Sequence, residues 1–366
     1  MDFRISEERQ MLREGARRFL EEHSPPERVR QVSESEDGYD RELWEAMATQ
    51  GWQGMHIPEE WGGAGFTFQE TAILLHEMGR VLAPVPYLSS SVLAAAALMA
   101  GGSDEQKKEW LGAIAAGEVV ATVAIAEPGG GWDQASIKSV ASPGGSGFTL
   151  DGTKSYVTAG HTADMVLVAA GNGDGVGFFL VRGADVQAEK LVTLDSTRPQ
   201  AIIELSSVPA QRLGEGGWDT VEHVYDLARV ALAAEQVGGA ERVLEMAVAY
   251  AKDRMQFGRA IGSFQAIKHM CADMLMELEA ARSAASYAAW TVANSPNDVA
   301  QAAPLAKAYC SEAFFRAASN NIQIHGGIGF TWEHDAHLYF KRAKSTELLF
   351  GTPAAHREVL ADRLGL

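Results

Sequence analysis

The chain has 366 residues, of which 46% are hydrophobic and 22% are charged. This composition supplies enough apolar surface for a sizeable core and excludes a mostly disordered chain. The 48 acidic residues outnumber the 31 Lys and Arg residues, so the formal net charge at pH 7 is −17. We therefore expect neither nucleic acid nor an anionic membrane as a partner, because both require clustered basic residues, although a few cations could still converge on a small anionic ligand.

The N-terminal sequence and the cysteine content predict a cytoplasmic protein. Met1–Arg4 begins with charged residues and lacks the apolar core of a signal peptide. The longest apolar run, Val92–Ala100, is short for a membrane span, which needs about 20 residues. Cys271 and Cys310 are too few for a disulfide framework or a zinc site. We therefore expect a soluble, reduced chain without a metal.

The first third of the chain is predicted to be helical. Ser6–Arg9 is close to a capping-box pattern and precedes apolar residues at helical spacing. Further helices are predicted over Gln69–Arg80, Ser89–Met99 and Asp104–Ala115, after a loop over Pro58–Gly65. These elements predict an N-terminal helical domain over residues 1–118.

Short β-rich runs replace the helical pattern from about residue 119. Phe148–Leu150 meets a strong turn signal at Asp151–Gly152, and Ser155–Thr158 follows. Gly171–Gly175 predicts another turn between two strands. The remaining strand-like runs are Met165–Ala170, Gly177–Val181, Ala201–Leu205 and Val208–Leu213. Without helices between them, these runs predict an antiparallel barrel or sandwich over residues 119–220.

Apolar residues return to helical spacing from Val221 onward. Stripes rich in alanine start at Val230, Phe264 and Val299, and such stripes are typical of long helices packed closely in a bundle. We therefore predict an α+β protein that is mainly α, with a C-terminal four-helix bundle over residues 221–366.

Several common catalytic motifs are missing from the sequence. No G-x-G-x-x-G run opens a helix after a strand, which disfavours a nicotinamide-binding Rossmann fold. The chain has no G-x-S-x-G nucleophile elbow, which disfavours an α/β-hydrolase. His334 and His337 lie beside Glu333 but have no clear third ligand, so a surface or helix-cap role is favoured over a metal site.

Three segments carry more information. The first is Tyr250–Arg259 followed by Ile261–Gln265, where an arginine near a helix end could bind a pyrophosphate; a basic helix end with a glycine cap is the alternative. The second is Gln323–Phe330, whose adjacent glycines would let a ligand approach the backbone or form an ordinary turn. The third is Ala126–Asp133, followed after one strand by Lys154–Thr158.

The order and spacing of these segments resemble the acyl-CoA dehydrogenase family over essentially the whole chain. The resemblance includes Met1–Phe3, the Pro58–Gly65 loop and Glu77–Arg80. It implies a helical domain, a β domain and a four-helix bundle, assembled as a tetramer with FAD at subunit interfaces. It also implies that a glutamate removes the α-proton of an acyl-CoA thioester and that electrons leave to an electron-transfer flavoprotein.

The resemblance assigns binding roles residue by residue. Asp226 and Arg229 match residues near bound coenzyme A, and Arg254 matches the arginine on the flavin pyrophosphate. The residues expected at FAD, on this chain or on a neighbouring subunit, are Arg254, Gln256, Phe257, Gln265, Gln323, Gly326, Gly327, Tyr156, Thr158 and Thr352.

The sequence departs from the family where the catalytic base belongs. The usual Glu-Gly-Thr reads Phe350-Gly351-Thr352, and the alternative glutamate position, just before Arg229, is Ala228. Neither Phe nor Ala accepts a proton. Glu347 and Glu235 are possible replacements, with a solvated helix charge or an ion pair as the alternative for both.

The loop over Ala126–Asp133, inside the β domain, departs from the family as well. The family's threonine is Ala126, and the serine that usually touches flavin and thioester is Trp132. By this resemblance, the retained residues would serve a neighbour's flavin, whereas the altered ones would belong to the chain's own catalytic pocket. This resembles the base-lacking subunit of bacterial heteromeric acyl-CoA dehydrogenases of the steroid side-chain type, whose partner subunit bears the glutamate. A self-sufficient homotetramer with a relocated base, or a non-enzymatic acyl-CoA- or flavin-binding protein, remain alternatives, and the acyl group is left open.

Overall fold

The computed structural model describes residues 6–145 and 147–366, so the Met1–Phe3 part of the resemblance lies outside the described residues. The described chain is mainly helical. A π-helical turn over Leu88–Ala94 leads into α5. The α-helices are α1 (Glu7–His23), α2 (Pro26–Ser33), α3 (Arg41–Thr49), α4 (Phe68–Val81), α5 (Ala95–Gly101), α6 (Asp104–Ala115), α7 (Trp218–Asp253), α8 (Gln265–Asn294), α9 (Val299–His325), α10 (Ala336–Leu348) and α11 (Pro353–Leu364).

The described strands form one seven-stranded sheet and a separate two-stranded hairpin. The sheet strands are β1 (Ala121–Ala124), β2 (Val140–Gly144), β3 (Gly147–Thr158), β4 (Met165–Gly171), β5 (Val176–Arg182), β6 (Gln187–Lys190) and β7 (Gln200–Arg212). The hairpin strands are β8 (Met255–Gln256) and β9 (Arg259–Ala260). The mainly α, α+β fold class is therefore confirmed.

The sheet is mixed, which corrects the expectation of purely antiparallel strands. β1 and β2 both pair with β4 in parallel, whereas the other pairings are antiparallel. The order is β1-β4-β2-β3-β7-β5, with β6 added on β7 and a further pairing of β4 with β5. The seam between β2 and β4 consists of the single residue pair Val140 and Gly171, so the barrel is not fully closed.

Two predicted breaks in the strands are wrong. Asp151–Gly152 is not a hairpin turn, because β3 continues through it with a register shift against β7. The two runs predicted on either side of residue 206 form the one strand β7, in which Ser207 has a φ of 51°. The predicted turn over Gly171–Gly175 is confirmed, since it joins the antiparallel strands β4 and β5.

The described residues group into two compact units. The first comprises residues 6–30, 68–83 and 229–366, and the second comprises residues 31–67, 84–145 and 147–228. The boundary falls inside α7. The division into domains at residues 118 and 220 stays a prediction. In the second unit, side chains from the strands fill a hydrophobic core that includes Val166, Val168, Phe179 and Ile203. No helix in the described part of the chain combines the length and hydropathy that crossing a bilayer requires.

In the first unit, α4 and α7 approach each other backbone to backbone. A Cβ atom on Gly79 would overlap the carbonyl oxygen of Glu235, and a Cβ atom on Gly238 would overlap the carbonyl oxygen of His76. Glycine is therefore required at both positions, because the neighbouring atoms belong to rigid helical backbone.

We predict that Gly238→Ala lowers the free energy of unfolding by about 1–3 kcal/mol, because the added methyl group forces α4 and α7 apart. Gly15→Ala is the matched control, since no described atom lies within 4 Å of a Cβ placed there in α1. That control is expected to stabilise by about 0.5–1 kcal/mol through helix propensity. Urea unfolding of both variants measures the difference, and equal effects would contradict the close approach.

Candidate functional site

An exposed hairpin follows the end of α7. The amide of Ile261 donates to the Arg254 carbonyl at 2.8 Å, which closes the loop around β8 and β9. Phe257 and Gly258 occupy the turn with φ values of 52° and 76°, and both signs are positive, as a tight hairpin turn with right-handed strand twist requires. The Phe257 side chain is 91% exposed. A large apolar residue held at a strained turn and left in solvent indicates a contact surface.

The hairpin presents a guanidinium group that is available to a ligand. Among the residues that the structure describes, no carboxylate forms an ion pair with Arg254. Arg259 instead stacks over the Phe264 ring, with its guanidinium carbon 4.1 Å from the ring centroid. Gln256 is exposed on β8, and Gln265 is exposed at the first residue of α8.

The second segment lies beside the first. The His325 ring at the end of α9 stacks on Tyr250 near the end of α7, with ring centroids 4.3 Å apart. The structure therefore brings the Arg254 segment and the Gln323–Gly327 segment to neighbouring helix ends. Gln323 is exposed, and a Cβ atom on Gly326 or Gly327 would meet no described atom within 4 Å. The open backbone at these glycines allows a ligand or another chain to approach closely.

Aromatic side chains continue this surface after the glycines. Phe330 and Trp332 are largely exposed, and Ile328 is half exposed. The Lys341 ammonium lies 3.9 Å from the Trp332 ring centroid. The amide of Ala336, the first residue of α10, donates to His334 Nδ1 at 3.1 Å. Over residues 6–145 and 147–366, no group of three or more His, Cys, Asp or Glu side chains is arranged to hold a metal ion.

The position that matches the family's base lies just after α10. Phe350 is 6% exposed and has a φ of 60°, and Gly351 follows with a φ of 113°. The Thr352 side chain begins α11 by accepting a hydrogen bond from the Ala355 amide at 3.2 Å. The turn therefore buries an aromatic ring at the position where the family resemblance expects a proton acceptor.

The two possible replacement bases both form ion pairs. Glu347 Oε2 lies 2.6 Å from the Lys344 ammonium, one helical turn away on α10. Glu235 Oε1 lies 3.0 Å from the Arg342 guanidinium, and both side chains are buried. Both glutamates are therefore in ion pairs, as the alternative to a relocated base predicts. Ala228, the other base position, is fully buried in α7.

In the second unit, Tyr156 and Thr158 lie at the end of β3. The register against β7 shifts between Lys154 and Val157, which is a β-bulge, and Tyr156 there has a φ of 56° and is 57% exposed. Thr158 is buried, and its carbonyl oxygen accepts the Thr122 hydroxyl at 2.7 Å. The bulge therefore turns the Tyr156 ring out of the sheet.

The Ala126–Pro128 loop is held by a buried ion pair that the sequence did not reveal. Lys154 is fully buried, and its Nζ atom lies 2.6 Å from Glu127 Oε1 and 3.2 Å from the Ile125 carbonyl oxygen. Glu127 also accepts the backbone amides of Lys138 and Ser139 at 2.8 and 2.9 Å. Burial lowers the pKa of Lys154 to about 8, and the Lys154 contact helps to lower the pKa of Glu127.

Trp132 lies in the loop after β1, and Asp226 and Arg229 lie on α7. The Trp132 ring packs edge-on against Tyr225, with centroids 5.9 Å apart. Asp226 and Arg229, matched to residues near coenzyme A, are both almost fully buried.

Comparison with known proteins identifies the class of the molecule. The acyl-CoA dehydrogenase N-terminal domain matches residues 6–118, and the acyl-CoA dehydrogenase C-terminal domain matches residues 215–365. The chain belongs to the acyl-CoA dehydrogenase family, whose members are FAD-dependent oxidoreductases.

Three individual relatives match this chain over nearly its whole length. The acyl-CoA dehydrogenase IpdE2 of Mycobacterium tuberculosis is 38% identical over 355 residues, which cover 97% of this chain and 95% of that protein. The crystal structure of the ChsE4–ChsE5 complex from Mycobacterium tuberculosis contains a chain that is 34% identical, with a TM-score of 0.92 and coverage of 100% and 99%. A variant of the Tcur3481–Tcur3483 steroid ACAD is also 34% identical, with a TM-score of 0.90 and 98% coverage of both chains.

Proposed function

We propose that this chain is the base-lacking subunit of a heteromeric, FAD-dependent acyl-CoA dehydrogenase, and that a second subunit supplies the glutamate. The observation that carries the proposal is the buried ring of Phe350 at the turn after α10, where the family resemblance expects a carboxylate. The similarity to chains of the ChsE4–ChsE5 complex and of the Tcur3481–Tcur3483 steroid ACAD supports assembly with an unlike partner.

The energetic argument concerns the α-proton of the thioester. This proton is weakly acidic, and a positioned base contributes about 10²–10⁴ in rate, or roughly 3–5 kcal/mol of barrier. Phe350 and Ala228 cannot accept it. Glu235 is held by Arg342 in the bundle interior, and Glu347 is held by Lys344 on its own helix. These contacts favour structural roles for both carboxylates over that of a relocated base.

The residues of the hairpin and of the α9 end fit FAD. Arg254, which no described carboxylate engages, provides a planar cation for a pyrophosphate, and Gly326 and Gly327 leave the backbone open to close approach. Gln256, Phe257, Gln265 and Gln323 are exposed around them. The chemistry that FAD supplies when bound is acceptance of the electrons removed from the acyl chain. We assign Tyr156, Thr158 and Thr352 to the same cofactor contacts, on this chain or across the subunit interface.

The proposed substrate is an acyl-CoA thioester of the steroid type, because the second structural relative is a steroid ACAD. Asp226 and Arg229 are the proposed coenzyme A contacts. We propose an electron-transfer flavoprotein as the electron acceptor. Trp132, which replaces a small residue of the family, packs on Tyr225. We propose that its ring narrows this chain's own acyl entrance.

The proposal is tested by purifying the chain alone and together with a coexpressed, glutamate-bearing acyl-CoA dehydrogenase subunit. The chain alone is expected to retain little flavin and to show no acyl-CoA-dependent reduction of an artificial electron acceptor. The complex is expected to be active and to contain fewer flavins than subunits. Full flavin content and turnover by the chain alone would contradict the proposal.

Matched variants in the complex separate the roles of the residues. Arg254→Gln is expected to lower flavin content, whereas Lys252→Gln, an exposed charge just before it, is expected to leave it unchanged. Glu347→Gln and Glu235→Gln are expected to leave kcat within about threefold. A loss of about two orders of magnitude in kcat in either variant, with folding and flavin content unchanged, would instead support the relocated base.

A further inference from the structure

A cavity of about 380 Å³ lies within the first unit, between α1, α4, α7 and α8. Its volume falls at the lower end of the range of small-molecule sites, which is about 300–1,000 Å³. None of the residues assigned above to FAD, coenzyme A or the catalytic base lines it.

The lining of this cavity is cationic, although the chain carries a net charge of −17. Four arginines and His76 face a single carboxylate, Glu241. The arginines are Arg9, Arg13, Arg17 and Arg282. Such a local excess of positive charge is unexpected in an acidic protein and favours a negatively charged ligand.

Most of these arginines already have partners in the unit. Arg9 pairs with Glu70 at 2.6 Å, and Arg17 pairs with Glu77 at 2.9 Å. Glu241 accepts from Arg17, Arg282 and His76 at 2.9–3.3 Å. The carboxylates near the cavity are therefore engaged by cations other than Arg13.

Arg13 is the exception. Among the residues that the structure describes, it donates no hydrogen bond and forms no ion pair, and its Nε atom is buried. Glu77 and Glu241 act on it only at longer range, and burial lowers its pKa from the ordinary value. A buried N–H group without an acceptor is costly, and a ligand carboxylate in the cavity would supply one.

The opposite walls of the cavity are apolar. Ile73 from α4, Val237 from α7 and Trp290 from α8 line it, together with several alanines. These walls suit a hydrocarbon or ring attached to a single anionic group, and they disfavour a dianion that needs a full hydration shell.

We propose that this cavity binds a small organic carboxylate with an apolar body, whose carboxylate forms a forked hydrogen-bonded pair with Arg13. The inference does not depend on the proposed function, because it uses a different part of the chain. It assigns the Arg13 cavity a ligand-binding role that is separate from flavin and coenzyme A.

Calorimetric titration of the full chain tests the proposal with octanoate, acetate and inorganic phosphate as probes. Octanoate is expected to bind saturably. Acetate is expected to bind at least tenfold more weakly because it lacks the apolar body. Phosphate is expected to bind at least tenfold more weakly because it lacks the apolar body and carries more than one charge. Failure of octanoate to bind, or equal binding of phosphate, would overturn the proposal.

Three variants locate the binding. Arg13→Gln is expected to weaken octanoate binding at least tenfold and to fold normally, since no described partner loses a contact. Arg18→Gln, an exposed arginine on the same helix that does not line the cavity, is expected to bind as the wild type does. Ser286→Phe places a ring at an exposed position of the lining without changing charge, and it is also expected to weaken binding. Unchanged affinity in both Arg13→Gln and Ser286→Phe would place octanoate elsewhere and refute this site.

Discussion

Glu127→Gln is expected to lower the free energy of unfolding by about 3–5 kcal/mol at neutral pH. The variant removes the carboxylate 2.6 Å from the fully buried Lys154 ammonium and retains the size of the side chain. The Ile125 carbonyl oxygen, at 3.2 Å, remains as an acceptor for Lys154 but carries no full charge. Removing one partner of a buried ion pair is costly because the other charge then stays unpaired in a medium of low dielectric constant. Urea unfolding measures the loss.

The loss is also expected to depend on pH. Burial lowers the pKa of Lys154 to about 8 even with Glu127 present, so removal of the carboxylate lowers the pKa further. At pH values between the lowered pKa of Lys154 in the variant and its pKa in the wild type, the folded variant has released a proton that the folded wild type still holds. Stability rises with pH where the unfolded state binds more protons, so the difference between variant and wild type shrinks as pH rises toward 8.

Two controls isolate the ion pair. Glu189→Gln removes an exposed carboxylate from β6 and is expected to change stability by less than about 0.5 kcal/mol. The double variant Glu127→Gln with Lys154→Met is expected to recover much of the lost stability, because no buried charge remains. A loss below about 1 kcal/mol for Glu127→Gln, with no coupling between the two sites, would contradict this account.

The helices were predictable because their signals are local. The sequence predicts Asp104–Ala115, and α6 has those same bounds, with Ser103 and Gln106 forming a capping box at its start. The predicted helix over Gln69–Arg80 is observed as α4, over Phe68–Val81. Apolar periodicity and capping residues act within a few positions of each other, so a single sequence contains the information needed.

The sheet was less predictable because its pairings are distant in the chain. Asp151–Gly152 is a typical turn sequence, yet its aspartate accepts the Ser207 amide at 2.8 Å from the paired strand β7. The parallel pairing of β1 with β4 places Ala121 opposite Met165. No local pattern specifies such partners, since strand pairing depends on tertiary packing more than on propensity.

In the candidate site too, features that depend on one residue can be read from the sequence, whereas contacts between elements cannot. The proposal that Phe350 replaces the family's base rests on the family pattern alone, because it depends on residue identity at one position. The ion pairs of Glu235 with Arg342 and of Glu127 with Lys154 were not recognisable from the sequence, because they join different elements. The unpaired state of Arg13 likewise required the structure, since it depends on which carboxylates the other arginines already engage.

Lys307 is expected to make the second large contribution to stability, one that depends on pH. This lysine of α9 is fully buried, and its Nζ atom donates to the Ser311 hydroxyl at 2.9 Å and to the Glu347 carbonyl oxygen at 3.3 Å. Burial lowers its pKa to about 7, Arg229 adds to the lowering, and Glu347 and Cys310 oppose it. The folded pKa therefore lies well below the unfolded value near 10.4.

We predict that wild-type stability gains about 2–3 kcal/mol from this residue between pH 7.5 and 9.5, relative to Lys307→Met. In that window the unfolded chain keeps the lysine proton while the folded chain has released it, so the unfolded state binds more protons and stability rises with pH. Lys268→Met, which removes an exposed lysine from α8, is the control and is expected to follow the wild type. Urea unfolding at several pH values measures the difference.

Parallel pH profiles for the wild type and Lys307→Met would show that Lys307 remains charged in the folded state, and would contradict the prediction. The effect bears on the proposed function because the Glu347 carbonyl oxygen lies three residues before Phe350, at the end of α10. A neutral amine still carries two N–H groups, so it holds this carbonyl oxygen without placing a charge beneath the turn. The hydrogen bond from Lys307 therefore ties the end of α10, which leads into the buried Phe350 turn, to α9 in either protonation state of the amine.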